Sequence, residues 1–294
     1  MKLRLLTLAL LLGIAAPAWA GKPIDETRSL NPRGTVSVEN VKGRIEVRVW
    51  DKPQVHIGGS LGDGVERFDI DGGGDRLDIE VKYPNNSRNS EPTHLVLQVP
   101  TLASLDIDGV AVDIDIIGTA GAELGVDSVS GNVTVAGAPR RADIESVSGE
   151  VKVTLNSSEV SVQSVSGNVE LRGRLNGSVV AETVSGDLSI DTRGERLRSL
   201  SASSVSGNIG VRGALADGGK ISTESVSGNI DITMPKSLSA KVSGESFSGD
   251  LSAPGAHVNR AKYGPGSDFE QRYGGGNGDI RIETFSGRGS LELN

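Results

Sequence analysis

The chain has 294 residues, a formal net charge of −8, no cysteine, 40 glycines and only 3% aromatic residues. The acidic balance argues against nucleic acid and against charge-driven binding to anionic membrane surfaces. Without cysteine there is no disulfide and no lipid-bearing thiol, so core and ladder alone must hold the fold; few rings among many glycines suit narrow β-layers with frequent turns.

Residues 1–20 read as a secretion signal. Lys2 and Arg4 open it, residues 5–16 are apolar, and Pro17 precedes the small-x-small cleavage site Ala18-Trp19-Ala20. The apolar run is short for a membrane span, and no later segment reaches that length. The chain is therefore expected to be exported, to the periplasm, the cell surface or beyond. Residues 21–34 form a polar leader, expected to be flexible. Residues 35–100 read as an irregular N-terminal β cap, with strands at 35–39, 44–50, 54–57, 66–70, 76–81 and 94–99. A stack of strands needs such a cap because an open edge invites pairing with other chains.

Residues 101–294 are organised by one phrase: SVSGN at 128–132, SVSGE at 146–150, SVSGN at 164–168, TVSGD at 183–187, SVSGN at 204–208 and 225–229, SFSGD at 246–250 and TFSGR at 284–288. The glycines, Gly131 to Gly287, are spaced 18, 18, 19, 21, 21, 21 and 38. Periods near twenty indicate a solenoid, and the alternation after each glycine (Val133/Val135, Val151/Val153, Leu188/Ile190) is a strand period. The expected fold is all-β: a right-handed, parallel β-helix-like stack of 18–21-residue coils, handed as parallel crossovers are. Equivalent letters should form vertical files, with Val129, Val147 and Val165 in one file. That Val/Phe file is expected to supply core, and each glycine to mark a positive φ or a close backbone approach. Two other architectures compete. A left-handed hexapeptide helix is broken by Arg141 and Glu159. An antiparallel blade lacks regular two-residue turns.

Residues 254–279 interrupt the repeat as an excursion loop. It gathers His257, Arg260, Lys262, Tyr263, Phe269, Arg272 and Tyr273, a basic and aromatic group in a chain poor in rings, and is the first candidate interaction site. The second is an acidic column four residues before each glycine: Asp127, Glu145, Glu182, Glu224, Glu245 and Glu283, interrupted by Gln163 and Ser203. Stacked like charges repel, so these side chains splay into water, or meet a cation or a basic partner. A third possible contact is strand addition at the C-terminal edge, Ser290–Leu293.

The secretion signal, the VRVWD strand end at 47–51, the VP turn at 99–100, the serial SVSGN coils and the ending IETFSGRGSLEL at 282–293 resemble the bacterial putative-adhesin β-strand-repeat family, over about residues 35–294. The resemblance implies an envelope or surface location and no established enzyme chemistry.

Catalysis finds little support in the residues. Asp106/Asp108 and Asp113/Asp115 are same-face pairs that alternate with isoleucines as solvated positions do, and His56, His94 and His257 are scattered. No catalytic, cofactor or metal residue is expected. The leading functional expectation is a non-enzymatic, adhesin-like interaction or scaffold module for an unidentified envelope protein or surface polymer. A carbohydrate-active β-helix enzyme and an envelope-stress sensor are the rivals.

Overall fold

The computed structural model describes residues 21–84, 89–260, 262 and 265–294, and the secretion signal lies outside them. Among the described residues there is no α-helix, and nineteen strands hydrogen-bond into a single winding sheet. The chain is all-β, and its repeat forms a solenoid-like stack in parallel register.

Two walls make up each coil. On the first wall β5 (Ser104–Ile117) pairs with β6 (Glu123–Ser130), then come β8 (Arg141–Ser148) and β9 (Val151–Ser166), all parallel. The long strands β10 (Val169–Thr183), β11 (Leu188–Ser204) and β12 (Ile209–Ser225) bend round the corners and serve both walls. On the second wall β7 (Val133–Gly137) lies between β5 and β9. Ser128 stands over Ser146 and Ser164, and Val133 over Val151 and Val169. Parallel pairing throughout the repeat excludes the antiparallel blade.

Between the walls lies the core. Leu124, Val126 and Ser128 point inward from the first wall, Val133 and Val135 from the second, and all are buried. Each fully buried aliphatic side chain contributes roughly 1.5–3 kcal/mol. Inward positions are even-numbered before the bend at 130–132 and odd-numbered after it, so the bend shifts the alternation by one residue. That shift corrects the expectation for the Val/Phe file. Val129, Val147 and Val165 do stand in one vertical file, but they face solvent at 48%, 47% and 48% exposure.

The other letters of the phrase each have a structural task. The first Ser or Thr is buried, and in later coils its hydroxyl closes the bend: Ser225, Ser246 and Thr284 accept from the amides of Gly228, Gly249 and Gly287 at 2.8, 2.7 and 2.9 Å. The second Ser reaches down one coil: Ser148 Oγ donates to the Val129 carbonyl at 3.1 Å and Ser286 Oγ to the Val226 carbonyl at 3.2 Å. The glycine faces the carbonyl of the glycine in the adjacent coil, where a Cβ on Gly167, Gly186 or Gly207 would collide with backbone oxygen. Only Gly131 and Gly149 of this file also have positive φ. The following Asn or Asp has a side chain of the right length to span one rung. Asn168 Oδ1 accepts from the Asp187 amide at 3.0 Å, and Asp187 Oδ1 accepts from the Asn208 amide at 2.8 Å.

At the N-terminal end, β1 (Lys22–Trp50) runs through both walls beneath β5. Residues 22–29, expected as a flexible leader, pair antiparallel with β2 (Gln54–Leu61). Leu30 is buried in the core. Parallel to β1 on its outer side lie β3 (Arg67–Lys82) and β4 (Thr93–Pro100).

At the other end the order in space departs from the order in sequence. On the first wall β18 (Gly278–Thr284) inserts between β12 and β14 (Ala240–Ser246). On the second wall β19 (Gly289–Leu293) lies between β13 (Ile230–Met234) and β15 (Leu251–Ser252). The segment 290–293, expected as an open edge, is therefore paired throughout with β13, and Ser290 also with β15. The excursion is partly strand. It contains β16 (Asn259–Arg260) and β17 (Ser267–Tyr273), and β17 pairs antiparallel with β14 to close the stack.

Candidate binding groove

Outward positions on the first wall fall into two neighbouring files. The acidic column continues beyond the repeat. From Glu80 the register runs through Glu39, Asp108, Asp127, Glu145, Gln163, Glu182, Ser203, Glu224, Glu283 and Glu245 to Asp268 of the closing strand. With rungs about 4.8 Å apart the file is roughly 50 Å long. The sequence reading missed Glu80, Glu39 and Asp108 because the N-terminal region lacks the SVSG phrase. Only sheet register reveals them, although Asp108 stands four residues before Val112 as Asp127 does before Gly131.

Two residues along each strand from the acids runs the apolar file: Val41, Val110, Val129, Val147, Val165, Val184, Val205, Val226, Phe285 and Phe247. The last two rings stack with centroids 4.6 Å apart and planes 8° from parallel. Between the files lies a groove in two contiguous segments, of about 740 and 970 Å³, that share Thr183, Ser203 and Val205. Tyr83 and Lys82 stand at one end, and Asn259, Arg260 and Ser267 at the other.

The groove is electrostatically one-sided. Glu283 pairs with Arg281 at 3.3 Å and Glu80 with Lys82 at 2.8 Å. Among the described residues, Asp127, Glu145, Glu182, Glu224 and Glu245 have no ion pair. Burial, then the charges of Asp106, Asp127 and Glu39, push the Asp108 carboxyl up to about 6. Asp127 is also raised, by burial and then by Asp106 and Asp143. No group of three or more His, Cys, Asp or Glu among the described residues could hold a metal ion.

The excursion residues do not form one cluster. Phe269 is buried at 2% exposure against Gly244, where it seals the end of the core. Tyr273 is partly buried and its hydroxyl donates to the Pro254 carbonyl at 2.7 Å. His257, Lys262 and Arg272 are exposed, and Tyr263 lies outside the described residues. Among the described residues of this group, Arg260 alone joins the groove, held by Asp250 at 3.0 Å.

Of the two aspartate pairs, Asp113 and Asp115 serve the scaffold, while Asp108 joins the groove. Asp113 accepts from the Asn132 amide at 2.8 Å, and Asp115 receives Arg48 at 3.1 Å and Arg44 at 3.5 Å. His56 and His94 lie on paired strands, with His56 near Thr27, and His257 is on the far excursion. No helix among the described residues is long and apolar enough to cross a membrane.

Solved structures resemble the chain at low identity. A "putative lipid binding protein" from Parabacteroides distasonis matches with a TM-score of 0.53 and 12% identity, covering 92% of this chain and 97% of that one. A "putative adhesin" from Bacteroides fragilis matches with a TM-score of 0.46 and 15% identity, covering 93% and 97%. A second "putative adhesin", also from P. distasonis, has a TM-score of 0.46 at 12% identity and covers 94% and 98%. Among curated proteins none matches. The Toastrack DUF4097 family model matches residues 28–211 and 195–287, and with most of its length covered the chain belongs to the Toastrack DUF4097 family.

Proposed function

We propose that the protein is a non-enzymatic, adhesin-like interaction module of the bacterial envelope, exported by its N-terminal signal, and that its contact surface is the groove on the first wall. The observation that carries this reading is the Val/Phe file. The other letters of the phrase close a bend, bond to the next coil or let two coils approach closely; this side chain does none of these, yet it recurs in every copy as Val or Phe. A straight row of half-exposed aliphatic and aromatic side chains is the kind of contiguous apolar surface that marks an interaction site. Stacked in register from coil to coil, the file forms a rail suited to a linear partner.

Position-specific photo-crosslinking tests the reading. A photoreactive residue at Val165, Val184 or Val205 in intact cells should give adducts, whereas one at Lys152 or Thr154 on the second wall should not. Adducts of equal yield from both walls, or none from the rail, would sink it.

A further inference from the structure

Resting on that reading, we infer that the groove takes an extended polypeptide segment with Lys or Arg on one side and aliphatic residues on the other, in a polyproline II-like conformation. Charge decides the sign of the partner. The acidic file runs the length of the groove with few cations beside it, so an occupant carrying positive charge relieves repulsion between stacked carboxylates. Anionic polymers, anionic lipid surfaces and a second copy of this same face would all add to it. The adjoining rail supplies what a purely ionic partner would not need, a continuous apolar contact from Val110 to Phe247.

Periodicity decides the conformation. Two rungs of the stack span about 9.6 Å, and one turn of polyproline II, three residues long, spans about 9.3 Å. One basic and one aliphatic side chain per turn therefore return to equivalent positions every second rung. A β-strand repeats at about 6.7 Å and an α-helix at 5.4 Å, with a diameter of about 10–12 Å, and neither holds register along the file.

The test uses the purified full chain and labelled peptides of about twelve residues, long enough for four polyproline turns. The first repeats Lys-Pro-Val, the second Glu-Pro-Val, the third Lys-Pro-Ser and the fourth Lys-Gly-Val. Anisotropy titrations at low and high salt should show that Lys-Pro-Val binds best and weakens with salt. Replacing its Lys by Glu, or its Val by Ser, should cost roughly tenfold or more, and Lys-Gly-Val should bind more weakly because its chain is not preorganised. Glu182→Lys with Glu224→Lys should lose a similar factor, and the milder Glu182→Gln with Glu224→Gln should lose part of it. Equal affinity for the Glu and Lys peptides, unchanged binding by both carboxylate variants, or tighter binding to phosphatidylglycerol vesicles than to any peptide would overturn the inference. Crosslinks on the rail without Lys-Pro-Val binding would retire this occupant and leave the module reading standing; loss of both would retire both.

Discussion

Phe285 stacks on Phe247 at 4.6 Å although the coil carrying Phe285 comes later in the chain. The Ser248 amide donates to the Phe285 carbonyl at 2.9 Å and the Ser286 amide to the Val226 carbonyl at 3.0 Å. The final coil is thus threaded between its two predecessors, which places β14 and not the C-terminal strand at the end of the first wall. The antiparallel strand β17 then covers β14. An end strand covered in this way offers fewer free backbone groups for pairing with other chains.

Phe269 anchors that closure from a fully buried position against Gly244. Phe269→Ala should destabilise by about 3–5 kcal/mol. Hydrogen exchange should show protection lost first in β14, β17 and β18, with the central coils retained. Uniform loss across the stack would show that the closure is not a separate cooperative unit.

The glycine file tests close approach against backbone freedom. At Gly207 φ is not positive, yet a Cβ would collide with the Gly186 carbonyl. Gly207→Ala should therefore force the two coils apart and lower thermal stability sharply, by more than about 2 kcal/mol. Gly218, which has positive φ and open space around it, should tolerate alanine better, at about 1 kcal/mol. Thermal melts of the two variants decide the point, and similar losses would show that strain, not contact, governs the file.

Ser225 closes its bend through the Gly228 amide at 2.8 Å. Ser225→Ala should cost about 1 kcal/mol because a buried donor loses its partner. Ser225→Thr should be nearly neutral, since Thr284 makes the same bond to Gly287 at 2.9 Å. Chemical denaturation would measure both; a neutral alanine variant would contradict this role.

Asp108 gives a pH dependence. Its carboxyl is held at about 6 by burial and by Asp106, Asp127 and Glu39, above the ordinary aspartate value of about 3.9. The folded state then binds more protons than the unfolded state between those limits, so this residue lowers stability above pH 6, and the penalty fades as pH falls towards 4. Asp108→Asn should raise the melting temperature by roughly 2–4 °C at about pH 8, allowing for solvent screening. Near pH 4 the gain should be absent. An equal gain at both pH values would show that the effect is not electrostatic.

Much of this architecture could be read from residue order. The coil period, the vertical files and the repeat's own part of the acidic column follow from Ser, Val, Ser, Gly and Asn recurring about every twenty residues, because stacking turns equal spacing into adjacency. Which side of the wall a file faces could not be read, since one added residue at each bend reverses the alternation and local sequence does not show that shift. The repeat alone therefore puts Val129 inside, whereas it lies outside. Nor could it be read that the last coil inserts before β14, that residues 22–29 pair with β2, or that Glu80, Glu39 and Asp108 join the acidic file. Those outcomes depend on which distant strands satisfy one another's backbone groups, a competition among long-range hydrogen bonds that only the folded sheet resolves.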